Sequence, residues 1–136
     1  MAYVGQPVPS TVINANSGKI SDGKSVRVTV PGNTTIEAGK FYLLDGFFGC
    51  AFQSVTTGEG EIAEVVLNIE QAEYETDQID TSQTFAKGTL IYWDDNVNNK
   101  RFTENAQGNR LVGRVTQAKD ANNNVICFIL GPQVVV

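Results

Sequence analysis

A chain of 136 residues has the length of one domain, since a single hydrophobic core usually closes within about 100–200 residues. Its 41% hydrophobic and 18% charged residues are typical of a globular protein, and the absence of histidine excludes mechanisms that need an imidazole base or a histidine metal ligand. The net charge of −5 does not suit the binding of free nucleic acid, because that binding depends on basic residues that neutralise phosphates.

Residues 1–22 are rich in Ser, Asn, Gly and Pro and show no sustained apolar period. This composition predicts an extended N-terminal arm, followed by a β-rich domain at 23–136. Residues 18–25 also match the GxxxxGK[ST] pattern of a phosphate-binding loop. That loop works only between a buried strand and a helix, whereas the residues after Ser25 alternate as a strand does. A small nucleotide-binding protein is therefore kept only as an alternative.

From Lys24 onward the sequence predicts short antiparallel strands. Val26, Val28 and Val30 alternate with polar residues, and Asp45-Gly46 joins two apolar runs as a β-hairpin turn does. The predicted strands share β-branched or aromatic side chains and turn residues at their ends, and they lie at 24–30, 41–44, 47–55, 62–69, 90–93, 101–103, 111–116 and 125–130. Seven or eight such strands favour an all-β fold, a small single-domain β-barrel or sandwich.

Charge is unevenly distributed along the chain. Residues 41–86 contain nine acidic residues and no Lys or Arg. This asymmetry favours electrostatic complementarity with a protein partner or a neighbouring copy, while a solvated acidic face is the simpler interpretation. Within this region, the polar stretch 70–83 lacks helix caps and an amphipathic stripe, and it is predicted to be a long loop.

The two cysteines, Cys50 and Cys127, lie in apolar stretches without CxxC spacing. Buried thiols in a reducing compartment fit this pattern better than a disulfide framework does. The first residues lack the basic-then-apolar pattern of a signal peptide, and no window approaches about 18 consecutive apolar residues. Synthesis in a cytoplasm, with no membrane as partner, is therefore expected.

An internal similarity links residues 38–45 with residues 86–94. Both segments have Ala and Gly before an apolar-aromatic strand that ends at an Asp turn. Duplication with pseudo-symmetry would produce this similarity, and so would the convergence of two ordinary β-hairpins. One pair of segments leaves both interpretations open.

No segment has the pattern of a catalytic, cofactor or metal site. Asp120, Asn122 and Asn124 have the spacing of the first half of a calcium loop, but Gly131 stands where that loop needs a glutamate. The paired carboxylates of Glu59 and Glu61 fall at a predicted hairpin tip, where no pocket would surround them. The sequence therefore predicts a protein that is not an enzyme and that uses neither cofactor nor metal.

A series of short motifs runs through the chain in a fixed order. It consists of Ala38-Gly39-Lys40, Gly49-Cys50-Ala51, Ala86-Lys87-Gly88, Tyr92-Trp93-Asp94, Phe102-Thr103, Gly108-Asn109 and Val112-Gly113-Arg114-Val115. In this order the chain resembles the capsid cement, or head decoration, proteins of tailed bacteriophages. The resemblance implies a β-rich protein on the outer surface of a phage head. It also implies binding to the major capsid protein and stabilisation of the expanded shell, commonly as a homotrimer.

A protein of this kind needs groups that bridge neighbouring capsid subunits, and both chain ends carry apolar candidates. The capsid-binding candidates are Tyr3, Val4, Val8 and Ile13 in the arm and Val134, Val135 and Val136 in the tail. Frayed termini are the alternative at both ends. A third function class, a β-rich host-binding or glycan-binding module, would stack sugars on Tyr92 and Trp93. Their apolar strand predicts core positions instead.

Overall fold

The computed structural model describes residues 18–134, and these form strands and no helix. In chain order the strands are β1 (Ser25–Val30), β2 (Thr35–Ile36), β3 (Phe41–Leu44), β4 (Phe47–Ala51), β5 (Val55–Thr56), β6 (Ala63–Asn68), β7 (Glu73–Thr76), β8 (Leu90–Asp94), β9 (Arg101–Thr103), β10 (Arg110–Gln117) and β11 (Ile126–Leu130). Strand neighbours within the sheets are antiparallel, which confirms the predicted all-β fold. No segment between residues 18 and 134 forms a helix that could span a membrane.

The first sheet has the order β1-β6-β4-β3 and curls until its two edge strands touch. Asp45, in the turn of the β3–β4 hairpin, helps to close the curl, because its Oδ2 accepts a hydrogen bond from the Thr29 amide at 2.7 Å. An aliphatic core fills the curl, and the two-stranded β2–β5 ribbon adds to it. The buried residues of this core are Val28, Val30, Ile36, Ala51, Val65 and Leu67.

The second sheet has the order β7-β11-β10-β8-β9, and its inner face packs against the first sheet. The contact is aromatic: Phe41 and Phe48 of the first sheet meet Trp93, Phe102 and Phe128 of the second. Ring centroids lie 4.9 Å apart for Phe48 and Trp93 and 4.8 Å apart for Phe102 and Phe128. Because large aromatic side chains bury the most area per residue, this cluster is the main core of the protein.

The two sheets repeat one topology. Strands β1, β3, β4 and β6 of the first sheet correspond, in chain order and in sheet order, to β7, β8, β10 and β11 of the second. Matching backbone hydrogen bonds recur at 2.8 and 2.9 Å: Gly39 N to Ala51 O and Ala51 N to Lys40 O in the first half, Gly88 N to Val115 O and Val115 N to Thr89 O in the second. The similarity that the sequence left open is therefore a structural repeat.

Two glycines occupy equivalent positions in this repeat. A Cβ atom on Gly49 of β4 would lie 2.4 Å from the carbonyl oxygen of Asn68 in β6. A Cβ atom on Gly113 of β10 would lie 2.4 Å from the carbonyl oxygen of Ile129 in β11. Each half therefore needs glycine at this position, because the backbone of β6 lies close to β4 and that of β11 lies close to β10.

The long loop predicted for 70–83 is wrong in its middle, because β7 lies there and pairs with β11. Tyr74 stacks on Phe128 with ring centroids 5.8 Å apart, while Glu73 and Glu75 face solvent. The alternation of exposed and buried residues in β7 spans only four positions, and its exposed residues are glutamates, which are depleted in strands. The sequence pattern therefore did not indicate a strand here. The predicted count of seven or eight strands was likewise too low, since β2 and β5 are two-residue strands that depend on each other.

Two glutamine side chains join the sheets with backbone-like hydrogen bonds. Gln78 Oε1 accepts from the Phe41 amide at 2.7 Å, and Gln78 Nε2 donates to the Phe41 carbonyl at 3.1 Å. Gln133 does the same for Phe48, at 2.9 Å in both directions. Arg110 in turn donates to the Gln133 carbonyl at 3.0 Å. These amides satisfy backbone groups of β3 and β4 that no neighbouring strand pairs.

Asp80 fastens the segment between β7 and β8 onto β9. Its Oδ1 accepts from the Ser82 hydroxyl at 2.6 Å and from the Ser82 amide at 3.1 Å, and its Oδ2 lies 3.3 Å from the Arg101 guanidinium. The hydrogen bonds from Ser82, helped by Arg101, lower the pKa of Asp80. A carboxylate with a lowered folded-state pKa stabilises the fold above its unfolded pKa, and this stabilisation is lost as pH falls through the folded value.

We expect Asp80→Asn to lower the free energy of unfolding at neutral pH by about 1.5–3 kcal/mol, the usual contribution of hydrogen bonds to a charged group. The difference from the wild type should shrink as pH falls below about 4, where the carboxyl protonates in the unfolded chain. Urea titrations between pH 2 and 7, a range chosen to bracket the usual aspartate pKa of about 3.9, measure both effects. Asp22→Asn is the control, because Asp22 is 69% exposed in its pair with Lys19. A constant difference at every pH would contradict the role assigned to the charge.

Candidate apolar docking surface

The outer face of the second sheet carries a shallow groove of about 220 Å³. Leu90 of β8, Leu111 of β10 and Ile129 of β11 line this groove, with 38%, 37% and 44% of their surface exposed. Pro132 and Arg114 also line the groove. We call this surface the apolar groove. A contiguous set of exposed apolar side chains is a candidate interaction surface, whereas single ones are ordinary.

The structural repeat shows which face of the sheet this is. In the first half Cys50 of β4 pairs with Phe41 of β3, and in the second half Arg114 of β10 pairs with Leu90 of β8. Phe41 is buried in the aromatic core, whereas its counterpart Leu90 faces outward. The apolar groove is thus the counterpart of a face that packs against another sheet inside the molecule.

Arg114 carries the positive charge of the groove. Its Nη1 donates to the Gly88 carbonyl at 2.7 Å. Between residues 18 and 134, the ion pairs of this protein involve other basic residues, and Arg114 has no carboxylate within 4.0 Å. A guanidinium on an apolar surface can therefore donate a charge-assisted hydrogen bond to a carboxylate of a partner.

The acidic region 41–86 is partly neutralised by basic residues from outside it. The pairs are Lys24 with Glu70 at 3.6 Å, Arg27 with Glu64 at 3.8 Å, Lys40 with Asp77 at 3.0 Å and Arg101 with Asp80 at 3.3 Å. Three of these pairs are well exposed, so each contributes little to stability. The four pairs nevertheless place a positive charge beside four of the nine acidic residues of this region.

Most of the capsid-binding candidates from the sequence fall outside the described residues. Tyr3, Val4, Val8 and Ile13 lie before residue 18, and Val135 and Val136 lie after residue 134. Val134 is described, and it is 87% exposed, two positions beyond Pro132 of the apolar groove. Of the tail candidates, the structure therefore describes Val134 alone, as an exposed side chain outside the groove lining.

The groove residues Leu90, Leu111 and Ile129 are not among the site residues that the sequence predicted. One signal was present: residues 126–130 are apolar at every position, so β11 has no polar face. Continuous apolar strands are typical of sheets that are covered on both faces. The outer face of β11 could therefore have been recognised as a surface that a partner covers.

A family model described as phage cement protein matches residues 20–130, from the approach to β1 through the whole of β11. This chain belongs to the phage cement protein family. No curated protein and no solved structure matches it. The family places the protein in the capsid of the bacteriophage virion as a structural component, and it confirms the resemblance drawn from the motifs.

The phosphate-binding motif of this cement protein lacks the structure that such a loop needs. Residues 18–24 are exposed and irregular, and Ser25 begins strand β1 where a helix would have to begin. Lys24, which would contact phosphate, lies 3.6 Å from Glu70 instead. The local structure therefore gives the nucleotide alternative no support.

The calcium-like motif of the cement protein is a self-contained turn. Asp120 Oδ1 accepts from the Asn122 amide at 2.9 Å, and Asp120 Oδ2 accepts from the Asn123 side chain at 3.1 Å. Asn124 adopts the left-handed conformation, with φ of 53°, that the turn requires. Within 18–134 no group of three potential metal ligands occurs. This segment therefore acts as a connection between β10 and β11.

The cysteines and the aromatic pair of the cement protein also have structural explanations. Cys50 and Cys127 are free thiols. The sequence predicted that both are buried, whereas in the structure both are half-buried. Their partial burial raises the pKa of both thiols. Trp93 is buried, as predicted, and donates from Nε1 to Asp95 at 2.9 Å. The core position predicted for Tyr92 is wrong: this residue is half-buried, because the alternation along β8 places it on the face opposite Trp93. The two rings therefore do not form one sugar-stacking platform.

Proposed function

We propose that this protein binds the outer surface of the expanded phage head and stabilises the contacts between neighbouring major capsid subunits. The observation that carries the proposal is the match of the cement family over residues 20–130, which includes every strand of both sheets. A ligand that binds the assembled shell but not its separated subunits stabilises the assembly by mass action. Such a role requires complementary surface and a rigid body, and no enzyme activity, cofactor or metal.

The molecule has the physical properties that this role requires. The two sheets share an aromatic core, and the side chains of Gln78 and Gln133 hydrogen-bond to the backbone of β3 and β4. A preorganised body of this kind loses little conformational entropy when it binds, which favours affinity. We propose in addition that the protein is made in the bacterial cytoplasm, and that it acts as a homotrimer. The arm residues 1–22 and the tail 134–136 are the proposed bridges between subunits, with 23–136 as the decoration domain.

Co-sedimentation with phage heads from which this protein has been removed tests the proposal. We expect saturable binding, together with a higher temperature of head disruption when the protein is bound. The saturating ratio to the major capsid protein, and the mass of the protein in sedimentation equilibrium, test the homotrimer. A second preparation lacking residues 2–13 measures what the arm contributes. An absence of binding to expanded heads by the intact protein would refute the capsid role.

A further inference from the structure

The apolar groove has the features of an interface for a protein partner that does not belong to this chain. The counterpart of its face in the first half buries Phe41 and Phe48 against the second sheet. In the second half the equivalent face presents Leu90, Leu111 and Ile129 to solvent. Exposure of such a sheet face to water is unfavourable. A partner that covers it stabilises the complex by about 25 cal/mol per Å² of apolar surface removed from water.

The charge of the groove indicates the chemistry of the occupant. Arg114 lies among apolar side chains and has no carboxylate within 4.0 Å between residues 18 and 134. Residues 1–17 contain no acidic side chain, so the side chains of the N-terminal segment cannot supply that carboxylate. A partner with apolar side chains beside one Asp or Glu would complement both parts of the surface.

We propose that the apolar groove receives a segment of the major capsid protein in which apolar side chains flank one carboxylate, and that Arg114 pairs with this carboxylate. This inference rests on the proposed function and assigns its contact surface. Leu111 on β10 and Ile129 on the neighbouring strand β11 form the apolar floor of this contact.

Charge substitutions within and outside the groove test the inference on stripped expanded heads. Leu111→Glu should weaken head binding about ten-fold or more, because it places a carboxylate on a surface that must lose water. Ile129→Glu should weaken binding as much, because its carboxylate would stand opposite Arg114 and take the place of the partner's carboxylate there. Ile62→Glu and Val97→Glu are the matched controls, since these residues are 74% and 83% exposed outside the groove. The controls should bind as the wild type does. Tryptophan fluorescence of each variant verifies that Trp93 remains buried.

Arg114 gives a second set of variants that does not alter the apolar floor. Arg114→Glu should weaken head binding about ten-fold or more, because it places a like charge opposite the partner's carboxylate. Arg114→Lys should retain part of the affinity, since it keeps the charge and loses the planar donor pair. Lys87→Glu, a charge reversal outside the groove lining, is the control.

The outcomes separate the inference from the proposed function. If the intact protein binds heads and the groove variants bind equally well, the groove assignment is wrong and the capsid role stands. Equal losses in groove and control variants would also overturn the assignment, since net charge would then explain the effect. If the groove variants lose self-association in sedimentation velocity, the occupant is a second copy and the inference fails. If the intact protein does not bind, the capsid role itself is wrong.

Discussion

Gly113→Ala is expected to lower the free energy of unfolding by about 1–3 kcal/mol, the usual cost of forcing an extra methyl group into a packed position. The new Cβ would lie 2.4 Å from the Ile129 carbonyl oxygen and 3.2 Å from the Phe128 ring. The first contact is with backbone, so it cannot be relieved by a change of rotamer. Strand β11 would have to move away from β10, and this would weaken the pairing of two central strands of the second sheet.

The same glycine position recurs in the first half, so Gly49→Ala should have an effect of the same kind through the Asn68 carbonyl. Gly131→Ala is the matched control, because its Cβ would lie 3.4 Å from the nearest atom, the Val112 carbonyl oxygen. That distance is an ordinary contact, so a change within about 0.5 kcal/mol is expected. Urea unfolding at one fixed protein concentration measures all three variants, since self-association would otherwise shift the midpoint. A Gly113→Ala protein as stable as the Gly131→Ala protein would show that β11 adjusts without cost.

The sequence predicted much of the strand pattern because alternation and turn residues act locally. Val28 and Val30 are buried and Arg27 and Thr29 are exposed, as the alternation in β1 indicated. The β3–β4 hairpin forms at Asp45-Gly46, where both residues adopt positive φ. The conformation of such a turn depends on a few adjacent residues and does not require tertiary contacts.

Other elements depend on contacts that adjacent residues do not specify. The β2–β5 ribbon joins two-residue strands about twenty positions apart, and its Ile36 is buried only because the first sheet curls over it. Strand β7 is stabilised by pairing with β11, and its glutamates hid the alternation. The structural repeat was visible in one pair of segments, whereas its full extent depends on hydrogen bonds between distant strands.

The candidate surface was predictable only in part for a related reason. Sequence patterns show that a strand is apolar on both faces, but they do not show which face the fold leaves uncovered. Leu90 and Phe41 hold equivalent positions, and only the packing of the first sheet on the second buries one and exposes the other. The candidates at the chain ends stay predictions, since all but Val134 lie outside residues 18–134.

Phe102→Ala is expected to have the largest effect on stability, a loss of about 3–5 kcal/mol, because it removes a fully buried ring from the centre of the core. Phe102 is 0% exposed, and its ring centroid lies 4.8–5.5 Å from those of Phe41, Phe48, Trp93 and Phe128. The loss is a large fraction of the roughly 5–15 kcal/mol that stabilises a typical domain. It should also detach β9, a three-residue strand at the edge of the second sheet whose buried apolar anchor is this ring.

Trp93 reports this change directly, because it is the one tryptophan of the chain and its ring lies 5.2 Å from that of Phe102. We expect red-shifted tryptophan emission in the Phe102→Ala protein and a lower urea midpoint followed by the same signal. Phe52→Ala is the matched control: Phe52 is 56% exposed, so the same truncation should cost less than about 1 kcal/mol. Phe102→Leu should fall between the two, since it keeps part of the volume and loses the edge-to-face contacts. If Phe102→Ala cost no more than Phe52→Ala, the two sheets would be joined chiefly by the hydrogen bonds of Gln78 and Gln133, and the aromatic cluster would not be the main core.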